Sequence, residues 1–162
     1  MDDVNEFLSR KIKVYLVTLK NEKSSIVGRD CNIPAEDWKT ILFKNLFDLK
    51  SWKTLILLLR KWKPKAVFTH LWFANTIGGI AAYIARVPAN VSFELNVYDR
   101  VKSRKQFLVD IVLQFLHTKI IASSYAVKDS LIRHLIQSHR IELLHNSVDP
   151  NRIKVLPPSD LR

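Results

Sequence analysis

Residues 119–132, KIIASSYAVKDSLI, and residues 140–153, RIELLHNSVDPNRI, decide how this chain folds. Lys119 to Ala122 is a short β-branched run ending in Ser123 and Ser124, two residues well suited to cap a helix. Val127, Leu131 and Leu135 follow at intervals of four, the spacing of one helix face. A second apolar run, Ile141 to Leu144, stops at Asn146-Ser147-Val148-Asp149-Pro150, a cluster of turn formers. The order is strand, capped helix, strand, loop. Such a βαβ unit implies a parallel sheet, with a site where the strands' carboxyl ends meet the loops.

The same alternation runs back towards the start. Asp2 to Arg10 reads as the last turns of a helix, and Ile12 to Leu19 as a strand covered on both faces. Lys20 to Asp37 is polar and turn-rich, so a long loop is expected there; Trp38 to Leu49 reads as a short helix. Ser51 to Lys63 is a clear helix. Ser51 is its expected cap, Trp52, Leu55, Ile56, Leu59 and Trp62 form its stripe, and Pro64 ends it. Ala66 to Thr69 is a strand that delivers His70 to its carboxyl end. Ala74 to Arg86 is a helix rich in small residues, and Val91 to Leu95 is the next strand. Ser103 to His117 is a helix with Leu108, Ile111, Val112, Phe115 and Leu116 as its expected buried stripe. With right-handed crossovers, this order predicts an α/β fold: a doubly wound, mostly parallel sheet with helices on both faces.

A chain of 162 residues, 48% of them apolar, can build one cored domain but not two full ones. Its single cysteine, Cys31, excludes an internal disulfide framework and a cysteine-based zinc site, and fits a reducing compartment. Met1 is followed by Asp2 and Asp3, so no secretory signal is expected, and the longest apolar run, Leu55 to Leu59, cannot cross a bilayer. The net charge of +11 favours anionic partners: phosphorylated substrates, anionic lipid or nucleic acid. A nucleic-acid partner is disfavoured, because no DNA- or RNA-binding motif accompanies the charge.

The segments KIIASSYAVK and RIELLHNSVD resemble the motifs that close the N-terminal domain of retaining, family-four glycosyltransferases of the GT-B type, with Ser147 where that family usually has glycine. KPKAVFTHLW resembles the family's strand ending in histidine, with Lys65 in place of aspartate. SFELN resembles the segment that often carries a histidine near the reacting sugar, a position held here by Leu95. The resemblance implies a Rossmann-like, acceptor-side domain over residues 1–156, lacking the usual first strand, and the start of an interdomain linker at 157–162. It also implies transfer of a sugar from a nucleotide-sugar donor to a glycan or lipid-linked acceptor. The donor-binding C-terminal domain would be a missing partner, so the chain alone is expected to be inactive.

The resemblance and the strand-end positions together single out candidate residues. Glu94 and Asn96 are candidates for catalysis, since a carboxylate at a strand end can orient a hydroxyl or act as a base; an ordinary salt bridge is the competing use. His70, Trp72, Asn75, Asn96, Arg100, Ser123 and Lys128 are the candidates for acceptor binding. Ser123 and Ser124 are equally explained by capping, and Gly78 and Gly79 by close packing of their helix. The chain offers no cofactor or metal site of its own; no P-loop, HExxH or Gly-x-Ser-x-Gly motif occurs. The expected location is the cytoplasm, with peripheral contact at the inner membrane face through the Trp- and Lys-rich helix Ser51 to Lys63. The alternative is a non-catalytic α/β module that docks a partner or an anionic membrane surface.

Overall fold

The computed structural model describes residues 7–19, 33–97 and 102–145 of the chain. A small parallel pair joins β1 (Leu16–Thr18) to β2 (Trp38–Thr40), with Leu16 opposite Trp38. Helix α1 (Leu49–Trp62) leads into β3 (Ala66–His70), α2 (Trp72–Ala85) and β4 (Ala89–Glu94). Then come α3 (Arg104–Leu113), β5 (Lys119–Ala122), α4 (Tyr125–Arg133) and β6 (Ile141–Leu143). Strands β3 to β6 form one parallel sheet in sequential order. This is the expected α/β, Rossmann-like architecture with a parallel sheet.

The register sets which side chains share a face. Thr69, Ser92, Ile120 and Ile141 lie opposite one another across the four strands and so project to one side. Helices α1 and α2 cover that side at β3, where Leu55, Leu59, Ile77 and Ala81 form a cluster that Val67 joins. At the other end, Val127 and Leu131 of α4 close over Ile120, Ala122 and Ile141. Each large aliphatic side chain buried in these clusters contributes about 2 kcal/mol. On the opposite face, Phe68 stacks against Phe7 of the short helical stretch 7–9, with ring centres 6.1 Å apart.

Two glycines explain how closely α2 approaches the sheet. A Cβ on Gly78 would lie 2.5 Å from Thr69 Cγ2, and one on Gly79 would lie 2.6 Å from His117 Cε1. No larger residue fits without displacement, which offsets their poor helix propensity.

Several expectations need correction. Trp38 to Leu49 contains no helix before Leu49: it begins as β2, and Ile41 and Phe43 are buried while Leu42 and Lys44 are exposed. That period of two is the signature of extended chain. The first strand is shorter than Ile12 to Leu19, because only Leu16–Thr18 pairs with β2. Helix α1 is capped by Asp48, which accepts from the Ser51 backbone N–H, while the buried Ser51 hydroxyl donates to Leu42 O at 2.8 Å. Leu135 lies beyond α4 and is 70% exposed. The expected buried stripe over α3 and the turn after it is only partly inward: Leu108, Val112 and Phe115 are 66%, 67% and 57% exposed, and Ile111 and Leu116 are half-buried. The inward side of that segment carries Leu113 and Gln114 instead. Gln114 Nε2 donates to Leu135 O and Gln114 Oε1 accepts from Gln137 N, so a buried amide ties this segment to the next loop.

Candidate functional site

Because β3 to β6 are parallel, their carboxyl ends share one edge, and most of the sequence candidates gather there. His70 ends β3, is exposed, and stacks on Phe93 with ring centres 4.5 Å apart. The turn after it is strained: Leu71 has φ 73 and ψ 149, a region nearly confined to glycine, and serves as the N-cap of α2. Asn96 lies exposed two residues past β4. Ser123 sits beside it, its backbone N–H donating to Glu94 O and its hydroxyl to Leu95 O. Ser124 is the true cap of α4, accepting from Val127 N at 3.3 Å.

Beneath this edge runs a buried polar chain. Asn75, in the first turn of α2, donates to Glu94 Oε1 at 3.0 Å and to Phe93 O. The Lys102 ammonium bridges Glu94 at 3.3 Å and Asp110 at 2.8 Å, and these side chains are 7%, 10% and 13% exposed. Asp110 also accepts from the Trp72 indole at 3.0 Å. Lys102 thus joins the end of β4 to α3, and Trp72 joins α2 to α3. Removing the lysine would strand two carboxylates in a dry setting, at a cost of about 3–5 kcal/mol. Asn75 Oδ1 is buried with no hydrogen-bond partner among the described residues.

The candidates therefore divide into two layers. His70, Asn96 and Ser123 form the rim, whereas Trp72, Asn75 and Glu94 lie in the buried layer that holds it. Lys128 stands in α4; it adds to the pull by which the bonded Lys119 ammonium, 2.6 Å away, holds Glu142 below the usual carboxylate range. Arg100 lies outside the described residues, as do Cys31, the expected turn over residues 146–150 and residues 157–162. The Lys102–Asp110 ion pair has no signal in the sequence, since contacts eight residues apart across a loop follow no local period. No group of acidic, histidine and cysteine side chains that could hold a metal occurs among the described residues. A cleft of about 570 Å³ lined by Tyr83, Arg86, Pro88 and Asn90 opens at the sheet's other edge, where β4 begins. The Trp- and Lys-rich helix α1 spends both its indoles on packing. Trp52 donates to Leu46 O at 2.7 Å, and Trp62 stacks on Tyr15.

The family described as Glycosyltransferase Family 4 matches residues 4–152. The chain belongs to that family. Among solved structures it is similar to HepE from Anabaena bound to UDP-glucose, with a TM-score of 0.78 and 17% identity over 98% of this chain and 42% of that one. The apo lipopolysaccharide outer core galactosyltransferase WaaB aligns with a TM-score of 0.62 and 14% identity, over 97% and 43%. UDP-N-acetylglucosamine 2-epimerase from Rickettsia bellii aligns with a TM-score of 0.58 and 18% identity, over 86% and 39%. At these identities the likeness establishes the fold. The family 4 chain spans about two fifths of the length of each of these structures. Comparison with curated proteins gives no match.

Proposed function

We propose that this chain is the acceptor-side half of a family 4 glycosyltransferase that moves a sugar from a nucleotide-sugar donor to a glycan or lipid-linked acceptor. The family match over residues 4–152 carries the reading. A structure of similar fold, HepE, binds UDP-glucose, and this chain covers 42% of it. The donor's diphosphate would then be held by a C-terminal domain as partner. In this reading His70, Asn96 and Ser123 meet the acceptor, and Arg100 and Lys128 supply positive charge to a phosphate-bearing one. Glu94, Asn75 and Trp72 fix the rim from below; Glu94, paired with Lys102, orients its neighbours and does not abstract a proton. The domain's contribution is positioning, which lowers the entropic cost of bringing acceptor and donor together. The charge of +11 would hold the protein at the anionic inner face of the membrane, where a lipid-linked acceptor resides.

The test is calorimetric titration and turnover with UDP, GDP and ADP sugars. The chain alone should give neither binding heat nor transfer. Joined to a C-terminal nucleotide-sugar domain it should transfer, and Asn96→Ala or His70→Ala should then raise the acceptor KM by about tenfold with a smaller change in kcat. Tight donor binding by these 162 residues alone would overturn the reading.

A further inference from the structure

The outward face of α3 is the feature the sheet architecture leaves unexplained. Leu108 and Val112 of α3 and Phe115 of the 3-10 turn that continues it (Gln114–Leu116) follow at steps of four and three, so they stand above one another on one side, each more than half exposed. Arg104 and Lys105 lie one turn earlier on the same side and are exposed as well. Their place is unfavourable for the helix itself, since the first turn carries the positive end of the macrodipole and α3 has no acidic residue there. At the far end, the Arg140 guanidinium lies 5.3 Å from the centre of the Phe115 ring, while donating to Gln114 O, His117 O and Gln137 Oε1. The one acid of α3, Asp110, is turned inward to Lys102 and Trp72. The face is therefore apolar along its middle, cationic at both ends and free of carboxylates.

We propose that this face of α3 and the turn after it docks on an anionic lipid bilayer, with Leu108, Val112 and Phe115 entering the headgroup boundary and Arg104 and Lys105 meeting phosphates. The choice of partner rests on the peripheral-membrane reading above; the choice of face is new, and it replaces α1, whose indoles are spent on packing. Charge complementarity selects the occupant. A symmetric contact between two copies would bring cationic ends together, Arg104 and Lys105 of each against the same residues of the other where the helices run parallel and against Arg140 where they run antiparallel, in a chain of net charge +11. An anionic bilayer instead offers apolar depth beneath a layer of negative charge, the arrangement an interfacial helix requires.

Co-sedimentation with phosphatidylcholine vesicles, with and without phosphatidylglycerol, tests this on the full chain. Binding is expected only to the anionic vesicles, and it should weaken steeply with salt. Replacing Leu108, Val112 and Phe115 together by serine should weaken it by about tenfold or more, and Arg104→Glu with Lys105→Glu should do the same. All five side chains are exposed, so an unchanged thermal midpoint will show that the variants fold. Absence of binding to any anionic vesicle would overturn both this assignment and the peripheral reading. Wild-type binding that neither variant alters would overturn the assignment alone. A concentration-dependent dimer abolished by the serine variant, without vesicle binding, would give the face to a second copy and overturn it too.

Discussion

At the scale of single residues, His117 shows how burial writes a pH dependence into the fold. Its ring lies against Gly79, is 5% exposed, and its Nδ1 has no hydrogen-bond partner among the described residues. Burial penalises the imidazolium and pushes its pKa down from 6.5 to about 4. Because the folded value is depressed, the unfolded chain takes up the proton first as pH falls. Stability is therefore full above the unfolded value and declines between 6.5 and about 4, by about 3 kcal/mol from this group. Denaturation across that range should show the decline in the wild type and a flatter profile in His117→Gln. Equal slopes in the two proteins would show that another group titrates. The same scale limits what sequence reveals of the candidate site. Glu94, Asn75 and His70 were legible because strand ends and helix starts are legible. Which of them stands exposed at the rim and which faces inward is set by Lys102 and Asp110, partners brought in by tertiary packing.

At the scale of elements, the strand–helix order was legible and the helix faces were only partly so. The stripe of α1 was read correctly, since its period of 3.6 contrasts with Lys and Arg on the other side. Over α3 and the turn after it the apolar pattern predicts Leu108, Val112 and Phe115 inward, whereas Asp110 and Gln114 take inward places beside Leu113. In β4 the inward side is polar as well: Asn90, Ser92 and Glu94 are buried, and Val91 and Phe93 are only partly so. The tight approach of α2 explains this, since Asn90 donates to Gly79 O and Glu94 accepts from Asn75, contacts a bulky apolar residue could not make. That approach yields a prediction. Gly78→Ala gains about 1 kcal/mol of helix propensity but forces a methyl against Thr69, a stiff β-branched residue 6% exposed. Overpacking should win, for a net loss of about 1–2 kcal/mol. Thr69→Ser removes the clashing methyl, so the double variant should recover part of that loss in chemical denaturation. Strict additivity of the two changes would refute the contact. Gly79→Ala should cost less, because the His117 ring can turn aside.

At the scale of the whole molecule, two sheets are joined without a shared ladder among the described residues. The four-stranded sheet is held by continuous backbone pairing from β3 to β6. The β1–β2 pair, three residues per strand, is attached through side chains. Val17 and Val67 pack on the same cluster, Tyr15 stacks on Trp62 at 4.3 Å, and Phe43 sets its ring edge against Trp52 and Phe73. Such contacts can be lost locally while the larger sheet persists, because none of its hydrogen bonds need break. Two levels of protection are therefore expected in native-state amide exchange. Amides of β4 and β5, central in the larger sheet, should exchange only through global unfolding and follow denaturant with the full slope. Amides of β1 and β2 should exchange through a smaller opening, with lower free energy and a shallower slope. If Val17 and Lys39 were protected as strongly as Ser92 and Ile120, side-chain packing would be coupling the two sheets into one cooperative unit.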